Sequence, residues 1–277
     1  MSEGSPAETL SSMAAMSLED DVSTLSKCRE ASKALQDKWS VDKEPHEWSG
    51  VTVKDGRVQS VDLAFCTSLT TLPPTIGQLS GLLSLNLSNC ENLEEVAPEI
   101  GELSALVTLN LYGCALLAAL PAELGKLKAL ATLNLGNNNC LKALPDDIGG
   151  CTALTSINMK DCYKLSTLPT GFGGLISLTN LNLSYCTELI ELPASIGNLS
   201  SLTSLNLSTC RQLAAVPEEI GRLSALKKLD LFGCSQLTAL PSTITALDEL
   251  TSVNVSGCTR LALPPETSQF FATRGKK

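Results

Sequence analysis

The chain has 277 residues, 43% of them hydrophobic but only 4% aromatic, so leucine carries the apolar load that Phe and Trp carry in most cores. A formal charge of −9 disfavours a phosphate-binding surface and with it a nucleic-acid partner. No apolar run of about 18 residues is present to insert into a membrane. The first segment, residues 1–17, is acidic and rich in Ser and Ala, and is expected to be disordered. Neither a basic n-region nor an apolar h-region occurs between Met1 and Ser26, so no secretory signal is readable and the expected location is cytoplasmic.

Residues 18–57 read as a helical cap. Leu18, Val22, Leu25, Cys28, Ala31, Leu35 and Trp39 recur at spacings of three and four, which is an amphipathic helical stripe. Trp39 and Trp48 are expected inside this cap as core contacts rather than as ligand-stacking rings. His46 is the only histidine, so no pair of histidines can serve a metal or a catalytic proton relay.

From Val58 onward one pattern, LxxLxLxxCxxLxxLPxxIGxLxx, recurs every 24 residues. Its frames open at Val58, Leu82, Leu106, Leu130, Leu154, Leu178, Leu202 and Leu226, and a degenerate ninth opens at Leu250. These residues resemble the leucine-rich repeat family, in the LP-x-x-I-G variant of intracellular and plant resistance-type proteins, over residues 58–266. The resemblance implies an α/β solenoid: a right-handed horseshoe with a parallel sheet on its concave side and short 3₁₀ or helical turns on its convex side. The cap stretch EWSGVTVKDGRVQSVDL also resembles the N-terminal cap of plant leucine-rich repeat receptors. It departs from that cap in lacking the cysteine pair, with His46 and Val53 near those places.

Physics reads each frame the same way. Its fourth and sixth positions alternate as a half-buried strand does. The Pro then interrupts ladder or helix, and a short turn follows. Glycine recurs at one turn position in seven of the eight full frames, as Gly77, Gly101, Gly125, Gly149, Gly173, Gly197 and Gly221, and a positive φ is the expected reason. Nine strands at about 4.8 Å make a parallel sheet roughly 40 Å long. No coil can bury its own core alone, so stability must be cooperative along the array. Residues 267–277 form a tail with a basic end, in which Phe270 and Phe271 are candidates to fold over the last coil.

Cys66, Cys90, Cys114, Cys162, Cys186, Cys210, Cys234 and Cys258 share the ninth position of their frames, and Asn138 takes it in the fourth. The resemblance implies an inward side chain there that serves backbone groups of the neighbouring turn. The residues themselves point to a buried, reduced ladder rather than a metal or redox stack, because no CxxC pair supplies zinc spacing. Parallel Cβ vectors also suit a disulfide dihedral poorly. Cys151 falls at a core position; Cys28 and Cys140 lie off the ladder, with Cys140 the nearer to solvent.

Outward strand positions form the concave face. Its central column is Asp62, Asn86, Asn110, Asn134, Asn158, Asn182, Asn206, Asp230 and Asn254, among Ser and Thr neighbours. Tyr112, Asn134, Asn158, Lys160, Asn182, Tyr185, Asn206, Lys228, Asp230 and Phe232 are the candidate contacts for a protein or peptide, since Tyr and Phe are typical interface anchors. The acidic convex turns, such as Asp146–Asp147 and Glu218–Glu219, read as a solvated face. The GFGG at 171–174 is a fragment of a phosphate loop explained by the frame, and no GxxxxGK[ST], GxSxG or HExxH occurs. An interaction module without catalysis or cofactor, monomeric and cytoplasmic, is therefore expected. An extracellular ectodomain and a regulatory part of a larger signalling protein are the alternatives.

Overall fold

The computed structural model describes residues 17–274, so the disorder expected over 1–16 and 275–277 lies outside the described residues. Ser17 is not tail: it caps α1 (Leu18–Ala31), its hydroxyl accepting the Asp20 N–H while the Asp20 carboxylate accepts the Ser17 N–H. The apolar stripe does not form one helix. Ser32 is extended, and α2 (Lys33–Lys38) starts afresh, leaving Ala31 exposed. Arg29 Nε donates to the Trp39 carbonyl at 2.7 Å and draws the second segment back across the first. Trp39 and Trp48 stack at 4.8 Å between centroids, both buried, and their indole N–H groups donate to Ser49 and Ser40 carbonyls.

Among the described residues the nine parallel strands of the array are joined by a tenth, antiparallel one from the cap. β1 (Val51–Lys54) pairs antiparallel with β2 (Arg57–Asp62) through Asp55-Gly56, both at positive φ. One-strand steps then follow in parallel: β3 (Ser84–Asn86), β4 (Thr108–Asn110), β5 (Thr132–Asn134), β6 (Ser156–Asn158), β7 (Asn180–Asn182), β8 (Ser204–Asn206), β9 (Lys228–Asp230) and β10 (Ser252–Asn254). Opposite them run eight 3₁₀ turns, from Pro74–Gln78 to Ser242–Ala246. The described cap is tied to the array by Asp21, fully buried, which accepts from Arg57 Nε at 2.8 Å, Arg57 Nη2 at 3.0 Å and the Val58 N–H at 2.8 Å. At the far end α3 (Pro265–Arg274) replaces the stretch read as tail and buries Phe271 against the last coils.

The recurrent turn glycine has a different cause from the one expected. None of the seven has a positive φ. A Cβ at each would instead lie no farther than 2.6 Å from the carbonyl oxygen two residues before the next coil's equivalent, for example Gly173 against Ser195 and Gly221 against Thr243. The eighth full frame carries Thr245 there, where no further 3₁₀ turn stacks on it among the described residues. Positive φ is found instead at the eighth position of every frame: Phe65, Asn89, Gly113, Asn137, Asp161, Tyr185, Thr209, Gly233 and Gly257. The turn it makes aims the N–H at the next coil, as from Tyr185 to the Ser208 carbonyl at 2.8 Å.

The ninth-position ladder is a hydrogen-bond ladder. Cys90 Sγ donates to the Leu63 carbonyl, Cys162 to Leu135, Cys186 to Met159 and Cys210 to Leu183, at 3.1–3.3 Å. Asn138 Nδ2 reaches two carbonyls, Leu111 at 3.0 Å and Leu135 at 2.6 Å. All eleven cysteines are free thiols, and burial pushes the ladder thiols up, Cys90 to about 11 and Cys114 and Cys162 to about 12.

Gly149→Ala should cost more than about 2 kcal/mol in urea denaturation, because its methyl meets the Gly171 backbone, while Thr245→Ala should be near neutral. Equal effects at the two positions would refute the close-approach account. Raised pKa values mean little thiolate at neutral pH. A disulfide reagent at pH 8 should therefore label half-exposed Cys140 quickly in the native protein and the buried ladder thiols only after unfolding.

Candidate partner-binding face

The concave face is built by the local chemistry of the fifth position. Each Asn or Asp there turns its Oδ1 back to accept the N–H two residues on: Asn110 from Tyr112, Asn134 from Gly136, Asn158 from Lys160, Asn182 from Ser184, Asn206 from Ser208 and Asp230 from Phe232. These bonds hold the chain as it enters the left-handed turn at the eighth position. Column neighbours also bond to one another, Asn158 Nδ2 to Asn134 Oδ1 at 2.9 Å. The Asn acceptors are thus spent on the fold. The exposed side chains at the seventh and eighth positions gain fixed backbones from it.

The candidate residues fall into two groups. Asn158, Asn182 and Asn206 line a shallow trough of about 280 Å³ with Ser156, Asn180 and Ser204. A second trough, about 300 Å³, is lined by Asn206, Lys228 and Asp230 among others. Phe232 lies towards the C-terminal coils, where a Cβ on Gly257 would be 3.8 Å from its ring. Tyr112, Lys160 and Tyr185 belong to a separate ridge. The Tyr112 ring lies over Gly136, where any Cβ would come within 3.1 Å of it. Lys160 Nζ sits 5.7 Å from the Tyr185 ring centroid and 3.8 Å from Asp161 Oδ2.

Sequence columns miss one member of this ridge. Tyr163, at the tenth position, leaves the strand pattern, yet its hydroxyl donates to Asp161 Oδ1 at 3.4 Å. Desolvation and then the Asp161 carboxylate push its phenol up, with Tyr112 and Tyr185 adding smaller contributions in the same direction. All three tyrosines of the chain are more than a third exposed. No periodicity marks Tyr163; only the curl of the turn brings it to Asp161. Among the described residues no group of three or more His, Cys, Asp and Glu could hold a metal ion, and no helix is long and apolar enough to cross a membrane.

Tyr185 is costly where it stands. Its φ is +63°, a conformation that Gly, Asn or Asp adopts far more cheaply, and six of the nine frames use one of those three. Tyr185 is 43% exposed, so the strain is not repaid by burial in the core.

The repeat and its coil geometry define a leucine-rich repeat solenoid, and the comparisons with solved structures agree. The chain is similar to the ectodomain of the Arabidopsis thaliana receptor kinase GASSHO1/SCHENGEN3, with 22% identity and a TM-score of 0.57 over 82% of this chain and 31% of that one. It is similar also to the Arabidopsis receptor kinase HAESA, solved with the peptide hormone IDA and the co-receptor SERK1, at 22% identity and TM-score 0.52 over 88% of this chain and 46% of that one. The chain thus spans less than half the length of either, and the likeness is one of fold. No known family's sequence profile and no curated protein matches the sequence. The chain has the leucine-rich repeat fold.

Tyr185→Asn should raise stability by about 1 kcal/mol, since Asn tolerates the left-handed turn. A fall in the denaturation midpoint would show that the ring is held for packing.

Proposed function

We propose that this chain is a protein-interaction module that binds a protein or peptide on its concave face, at the ridge of Tyr112, Lys160 and Tyr185. One observation carries the reading: exposed tyrosines gathered on rigid turns, one of them held at positive φ at a cost to the fold. Amphipathic rings with few rotatable bonds are what interface hot spots use. Asn158, Asn182 and Asn206 supply amide groups in the adjoining troughs, Asn134 stands beside Asn158 in the same column, and Lys228, Asp230 and Phe232 lie towards the C-terminal coils. The HAESA receptor kinase, of the same fold, is solved with a peptide hormone bound, which supports a peptide or protein ligand for such a scaffold.

We place the protein in the cytoplasm, as a monomeric adaptor in signalling or defence-type recognition without catalysis or cofactor. Eleven free thiols, with the ladder bonded to carbonyls rather than paired, suit a reducing compartment. The extracellular alternative is favoured by the receptor-like cap alone, and recovery of the native protein only in an exported, glycosylated form would overturn the placement.

Partners captured from native cells by the wild-type chain should be lost from a Tyr112→Ala/Tyr185→Ala bait. The purified partner should then bind the double variant at least about tenfold more weakly. Unchanged affinity in a variant of undiminished stability would remove the ridge from the interface.

A further inference from the structure

The ridge holds a cation in a receptor made of its own side chains. Lys160 Nζ lies over the face of Tyr185 at 5.7 Å and beside Asp161 Oδ2 at 3.8 Å, while the Tyr163 hydroxyl binds the other carboxylate oxygen, Oδ1. An aromatic face and an oriented carboxylate together favour a positive charge. Lys160 fills the place loosely. Its side chain is 49% exposed, and 3.8 Å is too long for a hydrogen bond. A guanidinium would use the same site better, since its plane stacks on a phenol ring and its fork offers two parallel N–H groups to a carboxylate. The net charge of −9 draws a basic segment towards the protein.

We propose that Tyr163, Tyr185 and Asp161 form a subsite for an arginine side chain of the partner, and that Lys160 occupies it until the partner displaces it. This rests on the concave-face reading above and gives it a ligand chemistry. Tyr185 supplies the stacking face and Asp161 the counter-charge. Tyr163 positions the carboxylate. The strain at Tyr185 then has a use, because Asn or Gly at that turn offers no ring to stack on.

The chain's three tyrosines are all on this ridge, so a protein with isotope-labelled tyrosine reports on the site directly by NMR. The probes are N-acetyl-arginine methylamide, its neutral citrulline counterpart and N-acetyl-glutamate methylamide. The arginine probe should move the Tyr185 and Tyr163 ring signals saturably, and the citrulline probe should bind at least tenfold more weakly. Lys160→Met, which removes the occupant, should tighten arginine binding severalfold, and Asp161→Asn should abolish the saturable shift with the Tyr112 signal still native. Saturable binding of the glutamate probe that is lost in Lys160→Met would overturn the proposal in favour of an anion site on Lys160. No shift of either ring with arginine would also overturn it. Both results leave the concave-face reading to the captured partner and the double tyrosine variant, which test it independently.

Discussion

Every coil must find its hydrogen-bond partners in the next coil, at the spacing of adjacent parallel strands. The strand ladder needs it on the concave side, from β2 through β10 in one register. The same pitch then reaches the convex side, where 3₁₀ turns cross rather than strands. Two backbones brought so close leave no room for a Cβ, and the turn glycine answers that need. Its column stops at Thr245, beyond which the described residues hold no further 3₁₀ turn.

The same constraint governs the inside of the coil. Where the chain leaves the strand, its carbonyls face inward and no strand neighbour serves all of them. A thiol at the ninth position reaches the carbonyl 27 residues earlier, and Asn138, with two donors, serves both that one and its own coil. A thiol suits the place because it is small, apolar enough for the core and still a donor. Their spacing suggests chemistry, but burial holds these thiols in the unreactive protonated form.

The concave surface is a by-product of the same turn. The fifth-position side chain caps the N–H two residues on, and the eighth position swings to positive φ so that its own N–H can reach the next coil. Side chains at the seventh and eighth positions therefore stand on a backbone fixed from both sides. An exposed ring placed there loses little further freedom on binding a partner, which suits a recognition surface. The strain at Tyr185 and Phe65 shows where residue choice has departed from what the turn alone would favour.

The period, the alternation of the strand and the inward cysteines were legible in the sequence, because each depends on spacing along one chain. The hairpin of β1 and β2 is marked in the sequence by Asp55-Gly56, a turn pair that tolerates positive φ. Three things required the tertiary structure. The turn glycines look like residues chosen for φ until the neighbouring coil, 24 residues away, is in place. Asp21 lies on an otherwise apolar stripe, and only packing against β2 gives it Arg57 and the Val58 N–H as partners. Tyr163 joins Asp161, Lys160 and Tyr185 through a turn that breaks the strand's period of two. Sequence spacing carries the contacts a repeat makes with its own copies. It does not carry the side chains that meet where the coil bends out of the repeat, and the proposed site lies at such a bend.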